Sequence, residues 1–348
     1  MKIKYEDLHK FHTGILRKCN LDDFSNDSVS LGLCQTSLRG VDSHGVRLLP
    51  HYVNSALNGR KNPNPKFELT FKYPSIGLLD ADNAFGHAAG MKAVDHGMEV
   101  ADKYGIGVIA VSNSSHPGAM ATMALKAADR GYICFAFTHA DALILSYSGT
   151  RPFFGTNPVC FAAPRKEKDP YCLDMATSTV PWNRVLVHRG KNLPLDEGLA
   201  VDKHGNLTTN PHEAVALKPT GGYKGYGLAS MVDILCGVYS GMAFGRDILS
   251  MYKADIKTPR KLGQFYMVMK TDGAIEADNF IFALQEMTNQ VRNEPSIKGE
   301  KVMLPGDKEI ETAKERLKNG IPLDDITYSK FVELSTEFNE KLIVFDED

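Results

Sequence analysis

The sequence predicts an α/β fold with two lobes, and two observations support that prediction. Apolar runs typical of strands alternate with longer amphipathic segments over residues 76–138, in the order strand, helix, strand, helix, strand. The composition is that of a globular protein, since 43% of the 348 residues are hydrophobic and 24% are charged. A chain of this length is long enough for two domains with a cleft between them.

The first 60 residues have helical patterning. Apolar residues recur at helical spacing over Tyr5–Arg17, and the cluster Ser25–Asp27 is typical of the start of a second helix that reaches about Leu38. The prolines and asparagines of Asn62–Pro65 then interrupt the chain and mark the first boundary.

The rest of the chain is predicted from the same periodicities. Strands are predicted at residues 76–79, 108–112, 132–138, 159–163, 171–174 and 265–269. Helices are predicted at residues 88–104, 117–130, 228–239, 277–291 and 308–318, and the acidic tail Phe345–Asp348 is predicted to fray. Turn-rich chain fills the interval between the strand at 171–174 and Gly222.

Residues 105–110 match the dinucleotide fingerprint G-x-G-x-x-A, but the context is wrong for that site. In the fingerprint the glycines follow a strand and open a helix, so that the pyrophosphate meets the helix N-terminus. Here Gly105 and Gly107 follow a helix and open a strand. We therefore expect Gly105 to cap that helix and Gly107 to permit close packing.

Charge and cysteine usage exclude several classes of protein. The net charge of −2 gives no basic surplus for nucleic acid or an anionic membrane, and no apolar run approaches the ~20 residues of a membrane span. The N-terminus lacks the apolar stretch of a signal peptide. Six scattered cysteines without CxxC spacing favour buried, reduced thiols in a cytoplasmic protein without a metal site, and a zinc site or disulfide framework is the alternative.

The first candidate site is Asp42–Arg47, with Tyr52 shortly after it. Ser43 and His44 offer a hydroxyl and an imidazole, and Arg47 is suited to a bidentate contact with a substrate carboxylate. The alternative is a helix-capping loop in which Arg47 makes a surface ion pair.

The second candidate site is Ser112–Gly118, which follows a predicted strand. Pro117 fits the first position of the next helix, so His116 is predicted at a strand end and a helix start. The helix dipole there would favour the neutral imidazole that a general base requires. Alternatively, His116 is a helix N-cap residue whose ring makes hydrogen bonds only with nearby backbone groups.

Two further segments suit the phosphates and riboses of a nucleotide. Gly155–Pro158 and Asp174–Ser178 flank strands and are rich in backbone donors and hydroxyls, although ordinary turns have the same composition. The glycine-rich loop Gly221–Gly227 carries Lys224 and leads into a helix, which suits an anion site or a plain helix entry equally well.

Five segments in this order resemble the malate/L-lactate dehydrogenase family, which is unrelated to Rossmann-type lactate dehydrogenases. They are Asp42–Gly45, Gly155–Pro158, Asp174–Thr177, Lys224–Leu228 and Leu304–Gly306. Three more segments are similar to the ureidoglycolate dehydrogenases of that family: Phe244–Arg246, Ser250–Tyr252 and Leu262–Gln264. The resemblance implies a non-Rossmann cofactor domain with a mostly antiparallel sheet, residues 75–227. It also implies a helical lobe formed by both chain ends, residues 1–74 with 228–348, and a homodimer.

The resemblance also implies roles for individual residues. His116 would be the proton acceptor, with Ser43 and His44 lining the substrate pocket, although in some members the equivalent of His44 is proposed as the acid/base. Arg47 and Tyr52 would bind a small carboxylate substrate. NAD or NADP would contact Ala140, Asp174, Met175, Ala176, Lys224, Gly306, Asp307 and Lys308.

Two departures from the family pattern are visible. The family often has Ser-His-Gly, then two residues, then an arginine, whereas here Arg47 comes one position earlier and Leu48 occupies the usual place. The usual Gly-Lys after the Asp174 segment is replaced by Trp182–Arg184.

The predicted activity is an NAD(P)-dependent interconversion of a small 2-hydroxy acid and its 2-keto acid. The rivals are an NADPH-dependent reductase of cyclic imino acids and a non-catalytic relative that binds small anions.

Overall fold

The structure is a computed structural model that describes residues 1–166 and 169–344, so the predicted tail Phe345–Asp348 lies outside the described residues. The helices are α1 Tyr5–Lys18, α2 Asp23–Leu38, α3 Leu49–Leu57, α4 Gly86–Tyr104, α5 Ala121–Ala128, α6 Trp182–Lys191, α7 Tyr223–Asp233, α8 Ala277–Arg292, α9 Asp307–Asn319 and α10 Asp325–Phe338. The strands are β1 Lys2–Ile3, β2 Glu68–Tyr73, β3 Ile76–Asp80, β4 Ile106–Ser114, β5 Tyr132–Thr138, β6 Ile144–Leu145, β7 Pro152–Phe154, β8 Val159–Ala163, β9 Tyr171–Met175, β10 Ala200–Val201, β11 Leu207–Thr208, β12 Ala216–Leu217, β13 Leu262–Lys270 and β14 Ile321–Pro322.

The central element is a seven-stranded sheet in the order β2-β3-β4-β13-β5-β8-β9. Only the β3–β4 pair in it is parallel, and every other neighbouring pair is antiparallel. The predicted α/β class with a mostly antiparallel, non-Rossmann sheet is therefore confirmed. Antiparallel neighbours around β13 require that β4 and β5 run in one direction, so their carboxyl ends meet at the same edge.

Helices cover both faces of this sheet. Helices α4 and α5 pack on one face through small side chains such as Ala89, Ala93 and Ala124. On the other face, α7 and the π-helical segment Ile234–Val238 contribute Val232 and Cys236, which pack against Phe137 and Phe265. The core thus lies in layers on either side of the sheet, as in other α/β folds.

A helical lobe is built from the two ends of the chain, as expected. Helices α1, α2, α3 and α10 share one apolar cluster, and β1 pairs with β14 across the termini. The large sheet takes β2 and β13 from the predicted unit 1–74 with 228–348, and its other five strands from 75–227. The division into these two units stays a prediction.

A small five-stranded sheet, in the order β11-β10-β12-β6-β7, was not predicted. Its strands are only two or three residues long, too short for a period-two pattern to be visible in the sequence. Together with α6, which was also missed, it encloses a separate apolar cluster that includes Val185 and Leu217. This unit forms one wall of the site described below.

Three predicted helix starts are wrong, and one of them is that of α7, which begins at Tyr223, five residues before the predicted start at 228. Helix α5 begins at Ala121, four residues after Pro117, and helix α2 is capped by Asp22, whose carboxylate accepts a hydrogen bond from the amide of Ser25. The glycine prediction is confirmed, because Gly105 caps α4 with a φ of +79°. A Cβ on Gly107 would lie 2.2 Å from the carbonyl oxygen of Gly97, so only glycine fits there.

The six cysteines are buried and free, as predicted. Among the described residues, no helix combines the length and the apolar character needed to cross a bilayer. No group of three or more His, Cys, Asp or Glu side chains in residues 1–166 and 169–344 is placed to hold a metal ion.

Candidate active site

A cavity of about 1240 Å³ lies at the sheet edge where β4 and β5 end. Its wall includes seven of the residues singled out in the sequence: Ser43, His44, His116, Ala140, Asp174, Ala176 and Gly306. These residues come from five separate segments of the chain, so folding brings together most of the predicted site. The cavity exceeds the ~300–1,000 Å³ of a site for a drug-sized ligand.

His116 lies in the loop after β4 and is anchored from behind by Tyr52. The Nδ1 atom of His116 lies 2.9 Å from the Tyr52 hydroxyl and 3.3 Å from the amide nitrogen of Gly118. The hydroxyl is also 3.3 Å from the backbone oxygen of His116. Within the described chain, Nε2 has no hydrogen-bond partner, so it is the ring nitrogen left for a ligand.

The pKa of His116 is held well below its ordinary value, so its imidazole is neutral at pH 7. Burial is the main cause, followed by the nearby His44, Arg260, Lys61 and His87. The helix dipole invoked from the sequence does not contribute in the way predicted, since α5 begins five residues after His116.

His44 stacks beside His116, with ring centroids 5.6 Å apart and planes 23° apart. Its Nδ1 lies 2.8 Å from the hydroxyl of Ser43. Burial, aided by the charge of Arg47, lowers the pKa of His44 to about 4. Protonating either ring disfavours protonation of the other, so both imidazoles are neutral near pH 7.

Tyr52 and Arg47 are not in the cavity wall, contrary to the expectation that both contact substrate. Tyr52 is fully buried and its hydroxyl contacts His116 instead. Arg47 lies exposed on the 3-10 turn Val46–Leu48, where Leu48 takes the buried position. The one-residue shift of the arginine therefore turns its side chain away from the core, because successive residues of a 3-10 turn are rotated by about 120°.

Arg260 is a cationic cavity residue that the sequence analysis missed. It is only 6% exposed, and its guanidinium donates to Asp141 at 2.6 Å and to the backbone oxygen of Leu249 at 2.7 Å. It precedes β13, whose amino end lies between the carboxyl ends of β4 and β5. The sequence signal was an arginine five residues before the strand predicted at 265–269, which has no meaning until the strand order is known.

Asp174 stands at the end of β9 and faces the cavity. It accepts a hydrogen bond of 2.8 Å from the amide of Ala121, in the first turn of α5. Cavity solvent reaches the carboxylate, but protein atoms enclose it on its other sides, and this desolvation raises the pKa of Asp174 to about 6. An anionic group at a helix start is otherwise stabilised by the dipole.

Two of the other predicted nucleotide segments have structural roles. The side-chain oxygen of Asn157 accepts from the amide of Ala140 at 3.0 Å, and its nitrogen donates to the backbone oxygen of Ala229 at 2.9 Å. Asn157 thereby fixes Ala140 in the wall.

Gly306 has a φ of +95°, and an added Cβ would lie 3.1 Å from the backbone of Cys172. The chain at Gly306 therefore passes close to the backbone of Cys172.

Four predicted cofactor residues, all in the described chain, lie outside the cavity wall: Met175, Lys224, Asp307 and Lys308. The carboxylate of Asp307 is committed to Arg292, at 2.6 and 2.9 Å, and to the amide of Leu304 at 3.0 Å. Lys224 is exposed in the first turn of α7, and Lys308 is exposed in α9.

Helix α6 supplies a wall that periodicity did not reveal. Trp182 and Asn183 line the cavity, and the Asn183 side chain donates to the backbone oxygen of Ser43 at 3.0 Å. Arg184 instead forms an exposed ion pair with Asp196 at 2.6 Å. The Trp182–Arg184 departure thus places an aromatic ring and an amide beside the Ser43–His44 turn.

Comparison with known proteins identifies the family. The model of the malate/L-lactate dehydrogenase family matches residues 3–332 of the chain. The chain belongs to the malate/L-lactate dehydrogenase family. The resemblance seen in five short segments therefore holds for nearly the full length.

Individual relatives agree with this membership. A malate dehydrogenase of Pyrococcus abyssi is 34% identical, with 93% of this chain and 91% of the relative covered. An NAD(+) ureidoglycolate dehydrogenase of Escherichia coli K12 is 33% identical, with 94% of each chain covered. The crystal structure of malate dehydrogenase from Entamoeba histolytica superposes with a TM-score of 0.93 at 28% identity, covering 98% of this chain and 99% of the other. This member of the family is accordingly an oxidoreductase.

Proposed function

We propose that the protein is a nicotinamide-dependent dehydrogenase that interconverts a small 2-hydroxy acid and its 2-keto acid, with His116 as the proton acceptor. The observation that supports this most directly is that a neutral imidazole, a buried guanidinium and a carboxylate, those of His116, Arg260 and Asp174, share one cavity of about 1240 Å³. These three groups supply a base, a partner for the substrate carboxylate and an acceptor for ribose hydroxyls.

The cavity residues fit a dinucleotide cofactor. The volume leaves room for a dinucleotide and a small acid together. Asp174 offers acceptors for hydroxyl groups, and Gly306 lies in the cavity wall where the chain passes close to the backbone of Cys172. We propose that Ala140, Asp174, Ala176 and Gly306 hold NAD or NADP, with Lys224 at the margin. When bound, the nicotinamide would supply the hydride acceptor or donor for the reaction.

His116 would move the proton of the substrate hydroxyl. In the oxidative direction Nε2 takes that proton, which requires that Nδ1 carry the ring hydrogen. The Tyr52 hydroxyl can then accept from Nδ1 and donate to the backbone oxygen of His116, because both atoms are within 3.3 Å. In the reductive direction the protonated ring returns the proton from Nε2 to the substrate oxygen.

Arg260 would orient the substrate carboxylate. Its guanidinium is planar and already fixed by Asp141 and Leu249, so little side-chain entropy is lost on binding. The Ser43 hydroxyl and His44, which line the same cavity, would also contact the substrate. Arg47 stays a weaker candidate for the carboxylate, because it lies exposed on its turn.

We also propose a homodimer, as the resemblance implies. A row of exposed apolar side chains runs along α7 and the π-helical segment after it: Leu228, Met231, Ile234, Val238 and Tyr239. Exposed apolar patches of this kind mark contacts between chains. Sedimentation velocity across a range of concentrations tests the assembly, and a monomer at all concentrations would contradict it.

A substrate and cofactor panel tests the proposed reaction. The panel has three parts, assayed under one set of conditions. Malate, lactate and ureidoglycolate are tested with NAD or NADP, and their keto acids with NADH or NADPH. Cyclic imino acids are tested with both reduced cofactors. Turnover of a hydroxy-acid and keto-acid pair supports the proposal, and turnover of cyclic imines alone replaces it. NADH binding by fluorescence titration without turnover of any compound would indicate a non-catalytic anion-binding protein.

A further inference from the structure

Lys61 is a buried lysine without a counter-charge. Its side chain is 3% exposed, and within the described chain its ammonium has no hydrogen-bond or ion-pair partner. The Nζ atom instead lies 3.7 Å from the ring centroid of Tyr52 and 4.7 Å from that of Phe85. The aromatic faces compensate in part for the hydration that the ammonium loses on burial, but they supply neither a counter-charge nor a conventional hydrogen-bond acceptor.

Unlike the Lys61 ammonium, the neighbouring guanidiniums of Arg60 and Arg260 make hydrogen bonds, although the buried Nε of Arg60 has no partner in the described chain. The Arg60 guanidinium donates to the backbone oxygens of Met251, Ala254 and Asp255 at 2.8 to 2.9 Å. Arg260 is paired with Asp141 at 2.6 Å. An unpaired buried ammonium is costly to folding, and an apolar side chain of similar length would avoid that cost.

Lys61 and His116 line the same small void, of about 10 Å³, behind the main cavity. The other residues around it are His51, Arg60, Ser115, Met251 and Arg260, so no carboxylate belongs to its wall. Such a void holds about one water molecule. Little solvent therefore screens the charge of Lys61 from the imidazole of His116.

We propose that Lys61 is a positioning residue for His116, which seats the Tyr52 ring against Nδ1 and whose charge disfavours a second proton on the imidazole. This inference rests on the proposed role of His116 as the proton acceptor. It gives the costly burial of the ammonium a function, because the same charge that weakens the fold adds to the effects that disfavour protonation of the base.

The groups around Lys61 also disfavour protonation of His116. Lys61 lowers the pKa of His116, together with burial, His44, Arg260 and His87. It also contributes, after burial, to the lowered pKa values of His51 and His87, both about 3. The pKa of Lys61 is itself lowered by burial, Arg260 and Arg60. The remaining titratable group in direct contact with His116 is Tyr52. The carboxylate of Asp141 pairs with Arg260, and that of Asp255 lies near Arg60.

The test is Lys61→Met, with Lys61→Gln as a second neutral variant. The acidic limb of kcat/KM against pH, measured for hydroxy-acid oxidation, should move up by on the order of one pH unit in both variants. The titration of His116 followed by NMR of labelled histidines in the cofactor-free protein should move by the same amount. The Tm of Lys61→Met should stay equal to that of the wild type or rise, since a buried charge is removed.

Lys92→Met is the matched control. Lys92 also stacks on an aromatic ring, with its Nζ 4.4 Å from the centroid of Phe24, but it does not line the cavity or the void. This variant should leave the pH profile unchanged. Its Tm reports the effect of losing a lysine–aromatic contact alone.

The outcomes separate the two proposals. If His116→Ala retains the acidic limb, the assignment of His116 as the base is wrong. If His116→Ala abolishes the limb but Lys61→Met and Lys61→Gln leave it in place, the role of Lys61 is overturned and that of His116 stands. A lowered Tm with an unmoved limb would likewise show that Lys61 is only a packing residue.

Discussion

The Tyr52 hydroxyl lies 2.9 Å from Nδ1 of His116 and 3.3 Å from the backbone oxygen of the same residue. One hydroxyl is thus within reach of both the ring and the main chain of the candidate base. If Nδ1 carries the ring hydrogen, the hydroxyl accepts from it and donates to the backbone oxygen. If Nδ1 is bare, the hydroxyl and the amide of Gly118 both donate to it, and Nε2 carries the hydrogen.

Tyr52→Phe should therefore impair catalysis more than substrate binding. We expect kcat to fall about tenfold, the worth of one hydrogen bond of about 1.4 kcal/mol, while KM changes little. Steady-state kinetics in both directions check this. Tyr132→Phe is the control, because Tyr132 donates to Asp102 at 2.7 Å on the surface and should leave kcat unchanged. An equal kcat in Tyr52→Phe and the wild type would contradict the anchoring role.

His116→Ala should lower kcat by about 10²–10⁴-fold, the usual effect of removing a general base, with NADH binding retained. His44→Ala should act mainly on KM, since His44 is hydrogen-bonded to Ser43 and lines the cavity proposed to bind the substrate. Kinetics and fluorescence titration with NADH separate the two effects. The reverse pattern, a collapse of kcat only in His44→Ala, would move the catalytic role to His44.

Arg260→Lys should lower kcat/KM for the acid by about 10–100-fold, because lysine lacks the planar fork and a charge-assisted hydrogen bond is worth about 1.5–3 kcal/mol. Cofactor binding should be unaffected. Arg184→Lys, at an exposed ion pair with Asp196, is the control.

Arg47→Lys distinguishes the two candidate arginines. The exposed position of Arg47 predicts kinetics close to those of the wild type. A large loss in Arg47→Lys, with Arg260→Lys unchanged, would return the carboxylate contact to Arg47.

Asp174→Asn should change the pH dependence of stability. The pKa of Asp174 is raised by burial to about 6, from an ordinary value of 3.8, so between these values the folded state binds more protons than the unfolded state. The contribution of Asp174 to the free energy of unfolding therefore falls as the pH rises from about 4 to about 6. The variant lacks this ionisation and keeps the acceptor for the amide of Ala121.

Urea denaturation of both proteins at pH 4.5 and pH 8 checks that expectation. Relative to the wild type, the variant should be more stable at pH 8 than at pH 4.5. Its affinity for NADH should fall, since a carboxylate that accepts from ribose hydroxyls is lost. A stability difference that does not change with pH would show that Asp174 ionises at an ordinary pKa.

Lys224→Ala should raise the dissociation constant of NAD(P)H by about tenfold, a loss of about 1.4 kcal/mol. The Tm should hardly change, because the side chain of Lys224 is exposed. Lys308→Ala is the parallel test at the other exposed cofactor candidate. Unchanged affinity in both variants would restrict the cofactor contacts to residues in the cavity wall.

Much of the local structure could be predicted from sequence. The helix limits of α1 and α9, the cap at Gly105 and the close approach at Gly107 follow from spacing within a few residues. The start of α5 was predicted four residues early, because Pro117 is compatible with a first helical turn without requiring one. The two-residue strands of the small sheet form through tertiary pairing and leave no periodic trace.

The fold class, the exclusion of a Rossmann motif at residues 105–110 and the two histidines of the cavity could all be predicted from the order of residues along the chain. The contact of Arg260 with Asp141 across 119 residues, and the position of Tyr52 and Lys61 behind His116, became visible only in the folded chain. Local patterns record which face of a helix or strand is buried, because that depends on neighbours at fixed spacing. Which buried faces meet depends on the order of strands in the sheet, and that order is set by packing over the whole chain.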